Sequence, residues 1–298
     1  MGAVAVRVLV VLVALSLVLT GCRSAASSPG TGTTAHTIDV GGLTRTYLLH
    51  VPPGLTGPAP LVVMLHGGFG SGAQAERSYG WDALADAEHV VVAYPDGLNR
   101  AWNTGGGCCG RPGATDVDDV GFVTAMVADV ERAVPVDPAK VYATGISNGG
   151  IMAYTLACRT TLFAAIGPVA ATQLGECPHP APASVVHVHG TADKEIPYGG
   201  GRGAGVAHID GPGAVAVTGM WAVVDGCAQP TSSATGSVTT SVAQCPDGRA
   251  VELVTVAGGG HGWPGSAPKP AFDALLGLDP PAPAPDTTAL VWQFFSTH

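Results

Sequence analysis

Charge is what this chain has least of. Only 12% of its 298 residues are charged, and 13 Lys and Arg face 22 Asp and Glu, a formal net charge of −9. Thirteen cations cannot build a basic face, so nucleic acid is excluded as a partner. Aromatic residues are also scarce, at 6%. None of the cysteines has the spacing of a zinc site, so no structural metal is expected, and no cofactor either. Long apolar runs are missing except at the start. There Arg7 precedes an unbroken run from Val8 to Leu15, continued by Leu17, Val18 and Leu19. That is the length of a signal-peptide core and short for a membrane span.

The run ends in Leu19-Thr20-Gly21-Cys22, which resembles a bacterial lipobox, where cleavage before the cysteine leaves its thiol free for lipidation. The alternative is an ordinary secretory signal followed by a coincidental cysteine. Residues 23–35 hold nothing that packs. The expected organisation is therefore a signal peptide over 1–21, a flexible tether over 22–35 and one catalytic domain over 36–298. The protein is expected outside the cell, held to the outer face of the bacterial membrane by lipid on Cys22 and touching the membrane through that anchor only. Oligomeric state is left open. Six further cysteines are an even number, as oxidised export suggests. Cys227 and Cys245 bracket a Ser/Thr-rich hairpin-like stretch and are expected to pair. Cys108 and Cys109 either bridge each other or reach separately to Cys158 and Cys177.

Hydrophobic residues, at 46%, are plentiful enough for a sizeable core. His36 to Val51 alternates as a strand pair. Leu61–Leu65, Val90–Ala93, Val141–Thr144 and Val185–Val188 are short, apolar and rich in β-formers, as buried parallel strands are. Between them lie helix-like segments: Gln74–Ala87, Val117–Val134, Gly149–Arg159 and Val215–Val224. Thr287–Phe295 closes the chain as a docking helix. Asp116, Asp118 and Asp119 sit where carboxylates favour the positive end of a helix. This alternation predicts an α/β fold, a mostly parallel central sheet with helices on both faces. The glycine-rich 199–213 and proline-rich 279–285 read as surface loops.

The strand of KVYATGISNGGI runs straight into Gly145-Ile146-Ser147-Asn148-Gly149. This is the strand–turn–helix setting of a nucleophile elbow, with serine exposed on a sharp turn. Such a serine needs a base, an acid to orient the base, and donors for an oxyanion. His261 in GGGHGWPG is the candidate base. Asp193 in HVHGTADKEIPY, just past a strand end, is the candidate acid, with Glu195 its nearest competitor. The oxyanion donors are expected to be the backbone N–H of Asn148 and that of Gly68 in LVVMLHGGFGSG, with Phe69 as the alternative to Gly68. His66 is expected to bond loop backbone. Trp102, Asn103 and Trp263, in loops beside these motifs, are candidate substrate contacts.

Taken in order, LHGGFGSG, WNTGGGCCG, VDDVGFV, GISNGG, HGTADKEIPY and GGGHGWPG resemble the polyhydroxybutyrate depolymerase and feruloyl esterase family of secreted esterases, including its actinobacterial lipoproteins. The likeness spans about residues 36–298. It implies an α/β-hydrolase fold and serine-dependent hydrolysis of carboxylic esters through Ser147, Asp193 and His261. The substrate would be a small or oligomeric ester of feruloyl, acetyl or 3-hydroxybutyrate type. No appended domain for an insoluble polyester is seen. Two other readings compete. His187 and His189 share a strand face and could join Asp193 and His261 around a metal. A surface lipoprotein could also keep the fold as a binding module without turnover.

Overall fold

The computed structural model describes residues 30–106, 108–268 and 280–298. The expected signal peptide and Cys22 lie outside them. The strands are β1 (Gly32–Val40), β2 (Leu43–Val51), β3 (Ala59–Leu65), β4 (Val91–Pro95), β5 (Val136–Ile146), β6 (Ala165–Val169), β7 (Ser184–Gly190), β8 (Gly200–Arg202), β9 (Asp210–Pro212), β10 (Thr231–Thr235), β11 (Val238–Gln244) and β12 (Ala250–Val256). The helices are α1 (Gly72–Tyr79), α2 (Trp81–Glu88), α3 (Gly110–Ala114), α4 (Asp119–Ala133), α5 (Asn148–Arg159), α6 (Ala214–Val224) and α7 (Thr287–Phe295).

Ten strands form one sheet in the order β1-β2-β4-β3-β5-β6-β7-β12-β11-β10. From β4 through β12 all neighbours run parallel. The flanking strands β1, β2, β11 and β10 pair antiparallel. Strands β4, β6 and β7 are buried along their whole length, which is why they read as continuous apolar runs rather than alternating ones. Successive residues of β3 feed opposite faces. Leu61, Val63 and Leu65 pack with Phe122, Met126 and Met152 from α4 and α5, whereas Val62 and Met64 pack with Trp81, Ala85 and Phe295 from α2 and α7.

Three expectations need correction. β1 begins at Gly32 and pairs Gly32–Ala35 with Leu48–Val51, so the last residues of the expected tether belong to the sheet. The single helix expected over 74–87 is two helices. Gly80 (φ +73°) takes the left-handed conformation between them, which glycine adopts without the Cβ penalty. The glycine-rich segment 199–213 is not featureless: it contains the β8–β9 hairpin.

The cysteines resolve into Cys108–Cys109, Cys158–Cys177 and Cys227–Cys245. The predicted last pair is present, and the open alternative at Cys108 and Cys109 falls to the vicinal bridge.

Candidate active site

Ser147 stands between β5 and α5 with φ +55° and ψ −124°, a strained conformation for a residue with a Cβ. Its N–H donates to the Val169 carbonyl at 2.9 Å, which ties the turn to the next strand. The flanking glycines are required by contact. A Cβ on Gly145 would stand 2.6 Å from the Gly149 carbonyl carbon and 2.7 Å from the Leu65 carbonyl oxygen. One on Gly149 would drive into the carbonyls of Leu65 and His66. The Ser147 hydroxyl caps no helix N–H, so it is not spent on structure.

Asp193 follows β7 and His261 follows β12, and these two strands are parallel neighbours. Their loops are stitched together by Thr191 N–H to Val256 O at 3.0 Å and Ala192 N–H to Gly259 O at 2.8 Å. A Cβ on Gly190 would stand 2.2 Å from the Gly259 carbonyl oxygen, so the end of β7 must be glycine for the two loops to meet. The result is a hydrogen bond of 2.8 Å between His261 Nδ1 and Asp193 Oδ2. The other carboxylate oxygen, Oδ1, accepts the N–H groups of Glu195 and Ile196, each at 2.9 Å. Burial alone would raise the Asp193 pKa, but hydrogen bonds from His189 and His261 outweigh it and hold it well below the usual carboxylate range. Glu195 therefore serves Asp193 through its backbone and does not replace it.

Ser147 and His261 line one cleft of about 280 Å³, together with Gly68, Asn148 and the Glu195 side chain. The Phe69 N–H is committed to the Arg100 carbonyl at 2.8 Å, which leaves Gly68 as the donor candidate in that loop. The N–H of Asn148 opens α5, where helix geometry provides no intrahelical acceptor. His66 bonds backbone as expected: Nδ1–H to the Gly67 carbonyl at 2.8 Å, while Nε2 accepts the Gly97 N–H at 2.9 Å.

The predicted substrate contacts are corrected. Trp102 is 0% exposed and donates its indole N–H to the His66 carbonyl at 2.9 Å. Trp263 is 2% exposed, packs on Tyr79 and donates to Thr288 Oγ1 at 3.1 Å. Asn103 directs its amide to Asp116 Oδ1 and the Val117 carbonyl, both at 3.0 Å. All three build loops, and none lines the cleft. The apolar lining comes instead from Phe69, 50% exposed, Val206, 67% exposed, Ile209 and Cys109. Phe69 lies inside a motif already singled out, but side-chain direction there depends on its positive φ of 63°.

Two supporting pieces were also unforeseen. The Asn148 side chain grips the Trp102 backbone, Oδ1 accepting its N–H at 2.7 Å and Nδ2 donating to its carbonyl at 3.1 Å. Asp119 does more than favour a helix end. It pairs with buried Arg45 at 2.6 Å and accepts the Asn103 N–H at 2.7 Å, while Asp118 caps α4 by accepting the Gly121 N–H.

The family model described as Esterase PHB depolymerase matches residues 45–242. The chain belongs to this esterase family. It is 35% identical over 270 residues to NocK of Nocardia uniformis subsp. tsuyamanensis, a protein assigned as an esterase, covering 78% of this chain and 74% of that one. It is 30% identical over 267 residues to feruloyl esterase C of Emericella nidulans, covering 84% and 83%. An acetyl xylan esterase from Aspergillus awamori has the same fold, with a TM-score of 0.60 at 15% identity over 89% of this chain and 100% of that one. The sheet and its covering helices are those of the α/β-hydrolase fold, and this family member is a carboxylic ester hydrolase. The three disulfides among the described residues fit an oxidising, extracellular setting.

Proposed function

We propose that the protein is a serine esterase working through Ser147, His261 and Asp193 on short or soluble esters. The observation that carries this is the Asp193–His261 hydrogen bond, with His261 lining the same cleft as Ser147. Asp193 accepts the Nδ1–H of His261, which leaves Nε2 as the lone pair that takes the serine proton. Ser147 Oγ attacks the ester carbonyl carbon as its proton passes to His261. The resulting imidazolium is stabilised by the Asp193 carboxylate. The carbonyl oxygen, now an oxyanion, is received by the N–H groups of Gly68 and Asn148, with the N-terminus of α5 adding favourable partial charge. His261 returns the proton to the leaving alcohol as the tetrahedral adduct collapses. Water then repeats the cycle on the acyl-enzyme and releases the acid.

The apolar lining of the cleft includes Phe69, Val206 and Ile209, which suits an apolar or aromatic acyl group. Among the candidate esters this supports feruloyl or other aromatic acyl groups, in keeping with the feruloyl esterase relative; acetyl and 3-hydroxybutyrate esters are the alternatives the same panel ranks. We also propose export followed by lipid anchoring at Cys22, supported by the Leu-Thr-Gly-Cys sequence and the disulfides.

The test is hydrolysis of p-nitrophenyl esters, methyl ferulate and a 3-hydroxybutyrate oligomer by the wild type and Ser147→Ala. The variant is expected to lose turnover while keeping its folded circular-dichroism spectrum. Residual hydrolysis within about tenfold of wild type would overturn the serine mechanism.

A further inference from the structure

Behind the proposed acid lies a buried row of side chains that ester hydrolysis does not call for. Tyr154 on α5 and His187 and His189 on β7 are all fully enclosed. Tyr154 Oη lies 2.6 Å from His187 Nδ1, and His187 Nε2 lies 2.9 Å from His189 Nδ1. His189 Nε2 then lies 2.8 Å from the Ile196 carbonyl and 3.3 Å from Asp193 Oδ2. Both imidazoles are thus engaged in hydrogen bonds to one another and to the acid loop, rather than opened toward a metal.

The proton positions along this row can be deduced. Ile196 O and the Asp193 carboxylate only accept, so His189 Nε2 must carry a hydrogen. Burial pushes the His187 pKa well down, so that ring is neutral and has one N–H to share between two partners. The Tyr154 hydroxyl pairs with His187 alone among the described residues. Its hydrogen is satisfied only if His187 Nδ1 accepts it. His187 Nε2–H then donates to His189 Nδ1, and His189 Nε2–H points at the acid loop. Every donor in the row is directed toward Asp193.

We propose that His189, held by His187 and Tyr154, is a positioning residue for Asp193; this rests on the triad reading above. It acts at two points. Its Nε2–H holds the Ile196 carbonyl, and the N–H of the same Ile196 bonds Asp193 Oδ1. It also faces Oδ2, the oxygen that accepts from His261. The carboxylate is clamped from both sides, which fixes the direction in which it presents Oδ2 to the base.

The test combines histidine 15N NMR with kinetics of His189→Leu and His189→Gln, where the glutamine amide can replace the lost donor. In the wild type, His187 and His189 should each carry a proton on Nε2, with Nδ1 accepting. His189→Leu should lower kcat at least about tenfold, the size of a lost hydrogen bond to a charged group, with KM unchanged. It should also displace the low-field proton signal of His261 Nδ1–H, and His189→Gln should recover part of both effects. A wild-type His189 protonated on Nδ1 alone would overturn the proposal. So would a His189→Leu enzyme with kcat within twofold of wild type, or a loss confined to KM. If His189→Leu fails to fold, the wild-type tautomers and His189→Gln still decide. Ser147→Ala measured alongside separates the two readings. Turnover in that variant sinks the triad, whereas the tautomers and the His261 signal report the His189 clamp without any turnover.

Discussion

Replacing Asn148 by alanine isolates a contact that is neither core nor catalytic chemistry. The Asn148 side chain makes two hydrogen bonds to the Trp102 backbone, at 2.7 Å to its N–H and 3.1 Å to its carbonyl. Both residues are buried, Asn148 at 2% exposure and Trp102 at 0%. Asn148→Ala leaves the Trp102 N–H inside the protein without a partner, while the Trp102 carbonyl keeps the Cys109 N–H at 3.2 Å. One such buried group costs about 1–3 kcal/mol, and the substitution should cost about that much. A water entering the vacated space would bring the loss toward the lower figure. Asn148→Asp keeps the acceptor for the Trp102 N–H but turns a carboxylate oxygen toward the Trp102 carbonyl. It should be no more stable than alanine. The assay is urea unfolding followed by fluorescence, with kcat/KM for a p-nitrophenyl ester measured on the same samples. Because the proposed oxyanion donor is the backbone N–H of Asn148, both variants should retain far more activity than Ser147→Ala. A loss of stability below about 0.5 kcal/mol, under the whole of that range, would refute the reasoning.

The disulfides give a second test, since Cys158–Cys177 and Cys227–Cys245 close loops of 19 and 18 residues. Paired serine substitutions should each cost about 3 kcal/mol by loop entropy, read from urea unfolding as a lower midpoint; no loss would rule out that account. Acid stability follows from Asp193. Its folded pKa is lowered, so its contribution is fully present above the ordinary carboxylate pKa of about 4 and is lost as pH falls toward the folded value. The stability of the wild type should therefore fall more steeply below about pH 4 than that of Asp193→Asn, and parallel curves would contradict this. For the cleft, Phe69→Ala should raise KM for methyl ferulate several-fold while Trp263→Phe leaves KM unchanged. The reverse pattern would reinstate the tryptophan as a substrate contact.

The parts readable from sequence were those fixed by short-range rules. The β-rich run before Gly145 and the paired glycines around Ser147 specify the elbow almost without help from the rest of the chain. The buried strands announced themselves because a strand covered on both faces must be apolar throughout. What could not be read depends on distant partners. Trp102 and Trp263 look like pocket walls from their neighbours in sequence, yet their indole N–H groups are claimed by His66 and Thr288, residues 36 and 25 positions away. The break at Gly80 was hidden because alanine-rich periodicity continues across it, and a lone glycine inside such a pattern can be carried through a helix as well as end it. The cleft face of segment 203–209 was hidden for a similar reason. Its course is set by contact with the Asp193 loop, not by its own composition.

That contact bears on how the enzyme could be altered. Segment 203–209 supplies Val206 and Ile209 to the cleft, yet it is also bonded to the turn that holds the acid. The Ala204 N–H donates to the Lys194 carbonyl at 2.8 Å, and Gly203 abuts the Glu195 backbone too closely for any side chain. Lys194 and Glu195 directly follow Asp193. Redesigning this segment for a bulkier acyl group would disturb Asp193, the proposed acid, at the same time. The Phe69 loop is different: it is fastened to Arg100, and that hydrogen bond does not pass through Asp193. A campaign to change substrate range should begin at the Phe69 side chain, with the Gly68 backbone kept in place, and leave the hairpin alone.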